Sequence, residues 1–93
     1  MFVIAHHFIH DPDVFWASAP EVLAAIPIHI KLHSVYPSKD LKTGTCVWEA
    51  PHAEEVQALV DSILGKMSRN VTYEVDEEKA IGLPQKTMEE AVA

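Results

Sequence analysis

The run from Phe2 to Ile9 limits the fold more than any other part of the chain. β-Branched and aromatic residues occupy both odd and even positions there, and neither Gly nor Pro interrupts them. Such a run reads as a strand with little solvent on either face. With 93 residues the chain makes one domain, and a domain of that size hides only roughly 60 to 65% of its unfolded surface. Hydrophobic residues at 48% and charged residues at 23% fit a folded globule, because disordered segments carry fewer apolar and more charged side chains.

Caps, breakers and periodicity give the remaining elements. Asp11 offers an N-cap side chain, Pro12 suits the first helical position and Asp13 faces the positive helix end, so a helix begins at Pro12 and runs to about Ala25. Pro20 removes one backbone donor and predicts a kink or fresh start between Ser18 and Pro20. Ile28 to Tyr36 alternates apolar and polar types, the period of a half-buried strand. Pro37 to Gly44 is a polar loop, and Thr45 to Ala50 completes a hairpin. Val56, Leu59, Val60, Ile63 and Leu64 form one stripe of an amphipathic helix from Ala53 to Leu64, with Gly65 placed as its C′ residue. Val71 to Val75 is a fourth strand, and an acidic tail follows from Asp76. Residues 1–84 are expected to form the single domain and 85–93 a C-terminal tail, with Thr87 to Ala93 either helical or unstructured.

The order β-α-β-β-α-β predicts an α+β, ferredoxin-like arrangement: an antiparallel sheet ordered 4-1-3-2 with two helices on one face. Parity then sends Val3, Ala5, His7, Ile9, Ile30, Leu32, Ser34, Tyr36, Cys46, Trp48, Ala50, Val71, Tyr73 and Val75 toward the helices. The opposite face collects Phe2, Ile4, His6, Phe8, His10, His29, Lys31, His33, Val35, Thr45, Val47, Glu49, Thr72 and Glu74. Its apolar members would form a large exposed patch on a monomer. A second copy of the same face covers it most economically, because a self-complementary patch closes on itself around a two-fold axis. The expectation is a homodimer through the sheet face; the alternative is that the tail from Asp76 folds over its own sheet.

Charge and cysteine usage exclude several functions. Fourteen acids against seven bases give a formal charge of −7, which repels nucleic acid and anionic membrane surfaces. Cys46 is the only cysteine, so no intrachain disulfide or Cys-x-x-Cys pair exists and a reducing, cytoplasmic setting is expected. Met1 to Ala5 lacks a basic start and is too short for a signal peptide or a membrane span. Three scattered glycines cannot build a phosphate cradle, so no nucleotide cofactor is expected, and no serine lies in a Gly-x-Ser-x-Gly elbow.

Six histidines invite a metal. His6 and His10, like His29 and His33, have the four-residue spacing of a helical zinc pair, but four residues of strand span roughly 13 Å and cannot share one ion. His6 and His33 are the cross-strand candidates, two strands or about 9.6 Å apart at similar heights, with further ligands from a partner subunit. Glu49 and Glu74 are expected near one edge of the covered face, where two carboxylates can divide acid and base roles. Cross-strand pairing of Lys31 with Glu49 and of His6 with Glu74 is the simpler account of both and the favoured one. His7 is expected to be a satisfied core histidine, and Cys46 a small buried hydrophobe.

The helix start Asp11-Pro12-Asp13-Val14-Phe15-Trp16, the strand end Cys46-Val47-Trp48-Glu49-Ala50-Pro51 running into Glu54-Glu55-Val56, and the closing Tyr73-Glu74-Val75-Asp76 resemble small bacterial proteins of the dimeric α+β barrel superfamily. The likeness spans about residues 2 to 84. It implies a two-fold dimer, and relatives described as nickel-binding make nickel, beside zinc, the metal to consider at His6 and His33; other members are cofactor-free monooxygenases or lactone isomerases. Three functions follow as expectations. The first is binding of a small molecule or metal ion through His6, His33 and Glu74, with His7 and Glu49 as lesser candidates. The second is a cofactor-free monooxygenase or isomerase with a histidine as proton carrier, which needs an apolar cavity of ~300 Å³ or more. The third is a purely structural homodimeric module whose histidine-bearing interface loosens below about pH 6.

Overall fold

The computed structural model describes residues 1–87, so the expectation that Thr87 to Ala93 is either helical or unstructured falls, for 88–93, outside the described residues. Its elements are β1 (Phe2–Ile9), α1 (Pro12–Ala17), α2 (Ala19–Ala25), β2 (Lys31–Pro37), β3 (Thr43–Glu49), α3 (Ala53–Leu64) and β4 (Ser68–Glu74). The fold is α+β, with one four-stranded sheet in the order β2-β3-β1-β4, every neighbouring pair antiparallel. Counted from the other edge, that order is 4-1-3-2.

The first helical stretch divides where the prolines demand. Asp11 caps α1 through Val14 N–H, Pro12 opens it, and Ser18 ends it while starting α2, with Pro20 in the first turn of the second helix. Ser18 Oγ–H donates to the Val14 carbonyl at 2.8 Å, which meets a backbone acceptor at the break. α3 has the expected bounds, but Gly65 holds a right-handed backbone at its cap and not the left-handed C′ conformation.

All three helices cover one side of the sheet. Val3, Ala5, Cys46 and Trp48 pack there with Phe15, Val22, Val56, Val60 and Leu64 in a single buried cluster, each large apolar side chain contributing roughly 1.5–3 kcal/mol. At the hairpin, a Cβ added to Gly44 would stand 3.0 Å from Trp16. Glycine therefore lets the Trp16 ring lie against the strand, while its indole N–H donates to the Leu41 carbonyl at 3.0 Å.

Two strands present faces other than those expected. β2 begins at Lys31 and not at Ile28, and its register with β3 shifts between Leu32 and Ser34, leaving His33 as a bulge. An extra residue reverses parity, so Val35 pairs with Cys46 on the helical side, while Ser34 and Tyr36 pair with Val47 and Thr45 on the other. In β4, His7 pairs with Asn70 and Ile4 with Tyr73. Ser68, Asn70 and Thr72 consequently face the helices, and Val71 and Tyr73 face away.

The tail returns to the sheet at one end. Val75 N–H donates to the Phe2 carbonyl, Lys86 lies over the Phe2 ring, and the Thr87 N–H and hydroxyl reach Glu49 Oε1. Phe2 is only 2% exposed as a result. The sheet end around Phe2 is thus covered by the chain itself, the alternative to coverage by a second copy. The other end stays open: Phe8, Val71 and Tyr73 are 43%, 39% and 49% exposed.

Candidate functional site

His7, at the centre of β1 beneath the helices, is buried and joined on both sides of its ring. Asn70 Nδ2 donates to Asp61 Oδ1 at 2.9 Å, which turns Asn70 Oδ1 toward His7 Nδ1 at 2.7 Å. An amide oxygen only accepts, so His7 carries its proton on Nδ1 and presents a bare Nε2. That nitrogen lies 3.3 Å from Cys46 Sγ, and the thiol is the donor. One directional series therefore runs from Cys46 S–H through His7 and Asn70 to the Asp61 carboxylate.

The surroundings hold this series in place. Gln57 donates from Nε2 to Asp61 Oδ2 and the Asn70 carbonyl, while its Oε1 accepts from the Thr72 N–H and hydroxyl. Ser68 Oγ, 3.1 Å from the Leu64 carbonyl and 2.7 Å from Asn70 Oδ1, has a single proton for the two. Burial sets the resting protonation. It pushes the Cys46 thiol up to about 12 and holds His7 below its ordinary 6.5, partly offset by the Asn70 bond, so the pair rests as neutral thiol and neutral imidazole.

Above His7 and Cys46, between the sheet and the α1–α2 pair, lies a cavity of about 110 Å³. Phe15, Trp16, Val22, Leu32 and Trp48 are among its walls. The Trp48 indole Nε1–H is buried and has no hydrogen-bond partner among the described residues, an uncommon state for a buried donor. Its lining has the apolar character and the histidine that an enzyme of the expected kind needs, but the volume is about a third of the ~300 Å³ anticipated. Any occupant is therefore smaller.

His6, His33, Glu49 and Glu74 do not come together as one site. His6 pairs with Thr45 and Val71, bonds the Thr45 hydroxyl through Nδ1 at 3.0 Å and packs on Tyr73. Thr45 in turn pairs with Tyr36, so Tyr36 and not His33 stands level with His6. His33, displaced by the bulge, lies against Phe2 and 2.8 Å from Glu49 Oε1. Strand spacing then separates His6 from His33 by roughly 13 Å, too far for one ion to take both from the same chain. Among the described residues no three His, Cys, Asp or Glu side chains gather as a metal centre requires. Glu74 pairs with Val3 on the helical side, away from both His6 and Glu49, so the divided acid and base roles have no geometry here. Lys31 does stand opposite Glu49, although the close partner of that carboxylate is His33.

The chain matches no family model, no curated protein and no solved structure. No helix among the described residues is long and apolar enough to cross a membrane.

Proposed function

We propose that this chain is a small-molecule-binding protein of the ferredoxin-like, dimeric α+β barrel type, with its ligand site in the cavity between the sheet and the α1–α2 pair. The supporting observation is an apolar space of about 110 Å³ walled by aromatic and aliphatic side chains, with His7 and Cys46, hydrogen-bonded to each other, at its floor. A cavity of ~150 Å³ accommodates a benzene-sized molecule, so the ligand here has about five non-hydrogen atoms and no net charge. Titration with butanone, followed by amide NMR, tests the site. Shifts centred on Val22, Val35, Cys46 and Trp48, abolished when Val22→Phe fills the space, are the expected result. Shifts elsewhere, or none, would remove this reading.

The open end of the sheet supports a homodimer as part of the same proposal. β4 turns Val71 and Tyr73 outward and keeps Ser68 and Asn70 buried, the reverse of what a monomer surface favours. Ile4 and Phe8 from β1 extend the same patch. A second copy seated there would bury these side chains from both protomers while leaving each cavity within its own subunit.

A further inference from the structure

The two free edges of the sheet are finished differently. β2 is broken by the bulge at His33 and ends on Pro37, two features that stop a further strand from pairing along it. β4 runs from Ser68 to Glu74 without a proline, a lysine or a shift of register against β1. Its one basic side chain, Arg69, lies back over the Phe8 ring, and Val71 and Tyr73 are exposed. Such an edge is a template for another strand. The ladder gives its orientation. The His10 N–H donates to the Met67 carbonyl and the Val75 N–H to the Phe2 carbonyl, so the odd-numbered residues of β4 bond β1. The even-numbered ones turn their N–H and C=O groups to the open side.

On that side the Gln57 side chain takes the place of a neighbouring strand. Its Nε2–H donates to the Asn70 carbonyl at 2.7 Å, and its Oε1 accepts from the Thr72 N–H at 3.2 Å and the Thr72 hydroxyl at 2.9 Å. Asp61, one turn along α3, accepts the second Nε2 proton at 2.9 Å, which fixes the direction of the amide. One side chain thus satisfies an acceptor and a donor two residues apart, the pair that an antiparallel strand would take. We infer that Gln57 is an edge plug: by holding the Asn70 carbonyl and the Thr72 N–H, it bars β4 from pairing with β4 of a second copy across a two-fold axis at Val71. That pairing is the one the strand is built to make. It sets Asn70 opposite Thr72, Arg69 opposite Tyr73 and Ser68 opposite Glu74, with no like charges facing each other. Its central bonds would run from each Thr72 N–H to the other chain's Asn70 carbonyl, the same two groups that Gln57 occupies. The plug is independent of the cavity and of the dimer through the sheet face, and it leaves the face and not the edge for association.

The test compares the wild-type chain with Gln57→Ala by sedimentation velocity over a range of concentrations. The variant should gain mass beyond the wild type as concentration rises. A second change, Thr72→Pro, should return it to the wild-type value, because proline takes away the edge donor at a position where an edge strand tolerates it. A Gln57→Ala chain that matches the wild type at every concentration overturns the plug. So does a gain in mass that Thr72→Pro leaves in place, which marks unspecific aggregation. Should either variant fail to fold, amide exchange in the wild-type chain decides. The Thr72 and Glu74 N–H groups face the same open edge, and Gln57 holds the first of them. After correction for intrinsic rates, Thr72 should exchange roughly tenfold more slowly than Glu74, the effect of one added hydrogen bond. Equal rates would show that the amide does not hold the edge, and would overturn the inference.

Discussion

His33 Nε2 lies 2.8 Å from Glu49 Oε1, and the two side chains are 7% and 3% exposed. The bulge between Leu32 and Ser34 makes this contact possible by swinging His33 out of register, and Thr87 adds two donors to the same carboxylate oxygen. A buried carboxylate needs such partners to offset the loss of water. His33→Ala removes one of them and should destabilise the fold by about 2–4 kcal/mol, judged from the cost of breaking a buried polar pair. Urea unfolding followed by tryptophan fluorescence measures it, and a change below the experimental error would show that the pair contributes nothing.

His7 gives stability a defined pH dependence. Burial, outweighing the Asn70 bond, holds its folded value below the unfolded 6.5, so below pH 6.5 the unfolded chain binds a proton that the folded chain refuses. Its contribution is complete above 6.5 and is lost as pH falls from there toward the folded value, at up to ~1.4 kcal/mol per pH unit. The unfolding midpoint should therefore drop between pH 7 and 5, and His7→Gln should flatten that part of the curve. An identical slope in the variant would assign the effect to other groups.

Cys46 acts at the opposite end of the scale. Its folded value of about 12 lies above the unfolded 9.0, so raising the pH past 9.0 ionises the unfolded chain alone and stability falls up to about 12. Cys46→Ala should remove this alkaline loss while leaving a small void that costs about 1 kcal/mol at neutral pH. Midpoints measured at pH 7, 9 and 10.5 distinguish the two contributions.

Association should depend on β4. Sedimentation of the wild-type chain should give twice the monomer mass, and Val71→Glu, which puts a charge amid Phe8, Tyr73 and His6, should give a monomer at the same concentration. A wild-type monomer at all concentrations would contradict the dimer. The monomeric variant should also fail to take up stoichiometric nickel or zinc in a calorimetric titration, since His6 and His33 of one chain are too far apart to share an ion.

Replacing Gly44 tests the hairpin packing. The added Cβ of Gly44→Ala would meet the Trp16 ring at 3.0 Å, and the ring, tied to Leu41 by its N–H, must shift. A loss of about 1–2 kcal/mol is expected from such overpacking, with a change in Trp16 emission; unchanged emission and stability would mean that the ring moves freely.

Much of the architecture was legible because local signals agreed. The stripe from Val56 to Leu64, the Asp11-Pro12 cap and the proline in the first turn of the second helix each name an element without tertiary help. Parity also placed His7 and Cys46 on the same side of neighbouring strands, but their contact depends on the ladder that sets Ala5 opposite Cys46, and nothing in the composition fixes that register. The β2 bulge carries no Gly or Pro to announce it. β4 misled for a physical reason: Val71 and Tyr73 look like core residues, yet Gln57, Asp61 and His7 supply partners that make Ser68, Asn70 and Thr72 the better inward set. Thr87 reaching Glu49 had no local signal at all.

The division of the first helical stretch at Ser18 has a mechanical result. α1 and α2 are six and seven residues long, each well short of the ~12 residues at which an isolated helix begins to persist in water, and both help roof the space over His7. Phe15 from the first and Val22 from the second are sunk into the core, so it is the sheet beneath, and not the helical backbone, that keeps the roof in shape. A substitution that loosens either anchor should therefore unwind its whole segment, and the wall over the thiol and imidazole would be lost with it.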